Sequence, residues 1–218
     1  MTDTRIIQIC PPQRLRKEII AIMNDFANRY RVYYDANRKN PHITLLDISG
    51  DAYRHDSLLD KIGKITRDVK PFKVYIDGVS SFDEPDRSEG PTRRRHNYVI
   101  YLRVVEDRDI SLLHRRLVAG FGKDRMHQRK FVPHITISHQ DLDKRGFEKA
   151  LREYGAFHFK HNFIVNGVYL YAYAEGSKPR SRYIKFGSAR QTSLHSKKYI
   201  RGQIIYRSRS LSESASGP

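Results

Sequence analysis

Apolar residues along the chain change period several times, and each change predicts an element. Arg5–Cys10 is a short apolar run that reads as a strand. Pro11 and Pro12 then open a helix over 12–28, where Leu15, Ile19, Ile20, Met23 and Phe26 recur at helical spacing. Tyr30–Tyr34 is aromatic and reads as extended, and the polar Asp35–Asn40 reads as a turn. Pro41–Ile48 alternates as a strand, Ser57–Val69 suits a helix, and Pro71–Phe82 is again strand-like. Asp83–Asn97 holds Gly, Pro and four Arg, a loop signature. Tyr98–Val105 predicts a strand, Ser111–Phe121 a helix, Phe131–His139 a strand and Asp143–Tyr154 a helix. Phe157–Tyr173 predicts two strands or one long bent one, and Arg182–Gly187 a last strand.

The order is β-α-β-α-β-β followed by α-β-α-β-β. This doubled α+β pattern predicts two pseudo-symmetric lobes, each a small antiparallel sheet backed by helices, with a central cleft. Residues 1–187 form the expected bilobal domain. Residues 188–218 turn Ser- and Arg-rich and read as a basic, partly disordered tail, within which Ile200–Tyr206 is a candidate edge strand.

Composition sharpens the choice of partner. The formal charge is +17, from 41 Lys and Arg against 24 Asp and Glu. Six Lys or Arg and one Glu fall in 188–218, which leaves +12 on the body. A basic body favours a polyanion such as nucleic acid. The single cysteine, Cys10, excludes an internal disulfide and a cysteine-cluster zinc site. No apolar run approaches the ~20 residues that span a bilayer, and the N-terminus has no signal-peptide pattern. A cytoplasmic monomer without a membrane partner is the expectation.

The tetrapeptide Pro-His-Ile-Thr occurs twice, at Pro41–Thr44 and Pro133–Thr136. Each copy starts a predicted strand and falls at a corresponding place in the doubled pattern. Residues i and i+2 of a strand share a face, so His42 lies beside Thr44 and His134 beside Thr136. Ile43 and Ile135 then point into the core. Two imidazoles and two hydroxyls facing one cleft suit phosphodiester cleavage. One neutral imidazole takes a proton, the other donates one to the leaving oxygen, and the hydroxyls support the phosphoryl oxygens. Neither a metal nor another cofactor is needed. A metal site on His42, His134, His139 and His127 has no recognisable ligand spacing to support it.

With these motifs in place, the chain resembles the 2H phosphoesterase superfamily and is similar to its 2'-5' RNA ligase or RNA 2',3'-cyclic phosphodiesterase group. PFKVYIDGVSSF (71–82), YVIYLRV (98–104) and FIVNGVYLYAY (163–173) resemble family strands, and the likeness covers about residues 5–187. It implies His42 and His134 as catalytic, and Thr44 and Thr136 as phosphate-binding. Two positions depart from the group. His139 stands where an Arg is frequent, five residues after the second motif histidine, and Asp47 where an aromatic residue is frequent. His139 either replaces that cation or ends a strand.

Arg93–Arg95, Arg125, Arg129 and Lys130 lie in loops expected at the cleft mouth, where they could track phosphates. Tyr33 and Tyr34 are candidates for stacking a base or for core packing. The resulting expectation is a phosphodiesterase acting on 2',3'-cyclic phosphates of RNA ends or small nucleotides, or on 2'-5' linkages. The alternatives are a non-catalytic RNA-end-binding module and a ligase working by the reverse reaction.

Overall fold

Alternation in Thr4–Ile9 produces β1, which buries Ile7 and Ile9 on one side. The computed structural model describes residues 4–30, 40–48, 55–85, 96–122, 131–138, 142–173, 179–187, 198–200 and 203–205. The elements that follow are α1 (Gln13–Tyr30), β2 (Ile43–Asp47), α2 (His55–Ile65), β3 (Phe72–Pro85) and β4 (His96–Val104). Then come α3 (Arg108–Phe121), β5 (His134–Thr136), α4 (Lys144–Gly155), β6 (Lys160–Val165), β7 (Gly167–Tyr173) and β8 (Arg180–Lys185). The last two are β9 (Lys198–Ile200) and β10 (Gln203–Ile205).

The α+β class and the paired sheets agree with the sequence reading. One four-stranded sheet runs β2-β1-β7-β8 and the other β5-β4-β3-β6, with every neighbouring pair antiparallel. The two sheets are not, however, the two halves of the sequence. The last two strands of the first half, β3 and β4, pair with each other and with β6 and β5 of the second, while β7, near the end of the second half, returns to pair with β1. Asn166 is the lone residue between β6 in one sheet and β7 in the other, so the long strand segment is two strands in two sheets. This exchange interlocks the lobes.

The helices continue the exchange. α4 covers β3 and β4, yet its partner across Phe26–Tyr154 (ring centroids 5.2 Å apart) is α1, which joins two strands of the other sheet. Tyr154 donates its hydroxyl to Asp25 at 2.5 Å, and Tyr30 donates to Glu153 at 2.6 Å. The Tyr154 hydrogen bond, with Arg29 adding to it, holds the Asp25 carboxyl below the usual range. Burial pushes the Tyr30 hydroxyl up to about 12. Reciprocally, α3 packs on β2 and α2.

Several boundaries differ from the expectations. Tyr30 ends α1 rather than opening an extended segment, because its ring packs 4.8 Å from that of Phe26, one helical turn back. Residues 31–34 lie outside the described residues. β3 runs on to Pro85 and β4 starts at His96, so the expected loop is shortened at both ends. Asp107 moves the start of α3 back to Arg108 by accepting hydrogen bonds from the Asp109 and Ile110 amides. The expected strand 131–139 reduces to His134–Thr136. Pro133 has no amide to donate, and the amides of Ile137 and Ser138 both turn to the Ile100 carbonyl. At the C-terminal end, β9 pairs with β10 in a two-stranded sheet of its own, not at an edge of either larger sheet.

Candidate active site

Both His-x-Thr pairs sit at equivalent edges. β2 is the outer strand of its sheet and β5 the outer strand of the other, and the two edges lie against each other. Ile43 and Ile135 are fully buried, so Thr44 with the adjoining His42, and His134 with Thr136, lie on the alternate face of each strand. Register makes the match closer. Thr44 stands opposite Gln8 of β1, and Thr136 opposite Tyr101 of β4. His134 stands opposite Arg103.

The two imidazoles are oriented alike. The Nδ1 of His42 lies 2.6 Å from the carbonyl oxygen of Asn40, and that of His134 lies 2.7 Å from the carbonyl oxygen of Val132. A carbonyl oxygen only accepts, so each Nδ1 carries the proton and each Nε2 is left as the titrating nitrogen. Buried Pro41 and Pro133 lie between each imidazole and its carbonyl partner, and their fixed φ angles support the local bend.

Their surroundings differ. His42 is half-buried, and burial lowers its pKa from the ordinary 6.5, with the bond to Asn40 opposing this in part. The His134 imidazole meets the edge of Phe82 and the tilted ring of Tyr101, each with its centroid 5.0 Å away. Burial thus favours the neutral form of His42, whereas His134 is held between two aromatic rings.

Sequence reasoning missed several residues of this site. Gln8 is a carboxamide with 2% exposure, and its Nε2 donates to the Cys10 sulfur at 3.3 Å. Its signal was one polar residue inside the apolar run Ile6–Ile9. Tyr101 and Phe82, 4.4 Å apart, could have been found only from the β3–β4 register. Arg103 is the described cation paired across the sheet with His134, and its guanidinium also holds the Asp77 carbonyl at 2.8 Å and carboxylate at 3.3 Å. The predicted His139, Arg125, Arg129 and Lys130 lie outside the described residues, as do His127, Arg93–Arg95, Tyr33 and Tyr34. No group of three His, Cys, Asp or Glu among the described residues could hold a metal ion.

Similarity to known proteins follows the same frame. Putative phosphoesterase OB1230 of Oceanobacillus iheyensis is 30% identical over 133 residues, 59% of this chain and 70% of that protein. Putative phosphoesterase GWCH70_0799 of Geobacillus sp. strain WCH70 is 32% identical over 118 residues, 53% of this chain and 61% of that one. The fold is shared with TT0787 of Thermus thermophilus at a TM-score of 0.58 and 15% identity, over 86% of this chain and 100% of that one. It is shared with E. coli LigT at 0.56 and 18% identity, over 84% and 95%. A sequence profile of the 2'-5' RNA ligase superfamily matches residues 11–177, a span that takes in both His-x-Thr pairs and the strands that carry them, and the chain belongs to that family.

Proposed function

We propose that the protein is a phosphodiesterase that opens 2',3'-cyclic phosphates on RNA ends or small nucleotides, or cleaves 2'-5' linkages, by two-histidine acid–base catalysis without a metal. One observation carries this reading: two His-x-Thr pairs on adjoining sheet edges, each imidazole fixed through Nδ1 to a main-chain carbonyl two residues upstream. E. coli LigT, which shares the fold, has been crystallised with phosphate, with 3'-AMP and with ATP, which supports a nucleotide phosphate as the occupant.

His42 is the base in this mechanism. Its lowered pKa keeps Nε2 unprotonated, so Nε2 takes a proton from water as the water oxygen attacks phosphorus. The bond from phosphorus to one ribose oxygen breaks, and protonated His134 gives its Nε2 proton to that oxygen. The product is a phosphomonoester beside a free hydroxyl. Thr44 and Thr136 donate to the non-bridging oxygens, where negative charge accumulates. Exchange of one proton with solvent at each imidazole resets the site. The same steps with an RNA hydroxyl in place of water join that hydroxyl to the phosphorus as the ribose oxygen leaves, which gives the family name a chemical basis in this site.

The test is incubation of the purified protein with a 2',3'-cyclic nucleotide in excess EDTA, with product identified by phosphorus NMR. Phosphomonoester formation is expected. Tight binding without product would replace this reading with that of an RNA-end-binding module.

A further inference from the structure

The inner faces of the two sheets are matched at the motifs and unlike beyond them. In the first sheet, Thr44 stands opposite Gln8, Gln8 opposite Tyr169 of β7, and Tyr169 opposite Tyr183 of β8. Residues directly opposite in antiparallel strands share a face, so these four form one straight row. Three inter-strand gaps of ~4.8 Å make it about 14 Å long. It leads from the phosphate-binding threonine to the far edge of the sheet. Exposure rises along it, from 2% at Gln8 to 38% at Tyr183.

The outer end of the row is built as an aromatic platform. The Tyr169 and Tyr183 rings lie 5.0 Å apart. Tyr183 donates its hydroxyl to Asn166 at 2.5 Å, and its ring lies across the backbone of Gly167, where an added Cβ would come within 2.6 Å of ring atoms. The tip of the ring is therefore pinned against the sheet. Lys185, exposed and two residues further along β8, shares its face.

The corresponding row of the second sheet runs Thr136, Tyr101, Ser80. There the rings of Tyr101 and Phe82 are taken up by contact with His134, and further along that face Asp77 presents a carboxylate between Arg103 and Lys160. These two cations offset the carboxylate, so what sets the sheets apart is that the rings of the second are already engaged at His134. A chain leaving the cleft is better received by the tyrosines of the first sheet, in a protein of net charge +17.

We propose that Tyr169 and Tyr183 form a base-stacking subsite for single-stranded RNA, which takes the nucleotides adjoining the phosphate held at Thr44 and Thr136. This rests on the phosphodiesterase reading for the occupant of the threonine end, and it makes a polymer rather than a free mononucleotide the preferred substrate. Stacking of bases on aromatic rings tolerates any sequence, because every base has a π-face.

The experiment measures fluorescence-polarisation affinity of the full chain for a labelled single-stranded oligoribonucleotide ending in a 3'-phosphate. The control is a strand of equal length with abasic sites at its last three positions. Wild type is expected to prefer the base-bearing strand. Tyr169→Ala and Tyr183→Ala are each expected to weaken that strand about tenfold and so erase the preference, while Tyr183→Phe restores it. Equal affinity of wild type for the two strands would overturn the proposal, as would Ala variants that bind like wild type or a Phe variant as weak as Ala. If thermal unfolding shows Tyr183→Ala to be poorly folded, Tyr183→Leu fills the space over Gly167 without a π-face and is expected to bind as weakly as Ala. Hydrolysis of a 2',3'-cyclic mononucleotide, measured alongside, bears on the phosphodiesterase reading alone.

Discussion

His42 and His134 stand at matching points of two different sheets, each bound through Nδ1 to the carbonyl oxygen two residues upstream, at 2.6 Å and 2.7 Å. Each bond fixes both the ring orientation and the tautomer and leaves Nε2 as the titrating nitrogen, as the proposed proton transfers require. Replacing either histidine with Ala removes one transfer and leaves a carbonyl that water can satisfy. We expect kcat on a 2',3'-cyclic nucleotide to fall at least about 100-fold for each, with unchanged far-UV circular dichroism. The double variant should lose little more than the worse single one, because the two groups act as a unit. A fully active single variant would rule the mechanism out.

The depressed pKa of His42 has consequences for both activity and stability. In its proposed role as base His42 works only when neutral, so the acidic limb of kcat/KM is expected below pH 6.5. For stability, the unfolded imidazole takes up a proton near ~6.5 and the folded one resists it. The unfolded state therefore binds more protons as pH falls below that value, and stability drops with it. The neutral variant His42→Gln lacks this contribution. Melting curves at pH 7 and pH 5.5 should show a smaller drop for the variant than for wild type; equal drops would mean that His42 is not held neutral by the fold.

The sequence carried the motif pairs and the element order because both are local: a tetrapeptide, a period, a proline. Ile43 and Ile135 were legible as core for the same reason, since alternation assigns their face. What depended on long-range pairing was not legible. Nothing in residues 72–85 tells β3 to pair with β6 of the second half rather than with β1, so the lobes read as sequence halves when they are exchanged. Tyr101 and Phe82 looked like ordinary strand aromatics until register placed them against His134. Tyr30 was misread because aromatic residues favour strands, whereas its spacing from Phe26 is helical.

The threonines allow a test that leaves the histidines intact. Valine has nearly the shape of threonine but no hydroxyl, and Thr44 and Thr136 are both half-buried, so substitution barely alters packing. Loss of one hydrogen-bond donor to the phosphoryl oxygens should lower kcat about 100-fold, with the larger part of the effect in kcat rather than KM. Thr44→Ser and Thr136→Ser, which keep the hydroxyl, should recover most of the rate. If the serine variants are as slow as the valine ones, the methyl group rather than the hydroxyl matters.

Gly167 sets how closely β7 and β8 can approach, and it separates packing from catalysis. A Cβ there would collide with the Ile184 carbonyl oxygen on the neighbouring strand and with the Tyr183 ring, at 2.6 Å. The backbone cannot yield without opening the β7–β8 register at Gly167–Lys185. Gly167→Ala should therefore destabilise the protein by about 1–3 kcal/mol, read as a lower urea midpoint with unchanged slope. Gly155, in the last turn of α4, has nothing within 4 Å of an added Cβ. Gly155→Ala should be neutral or stabilising by up to ~1 kcal/mol, through reduced freedom of the unfolded chain. Equal midpoints for the two variants would mean that the strands can separate at Gly167 without cost, and that Tyr183 is not pinned there.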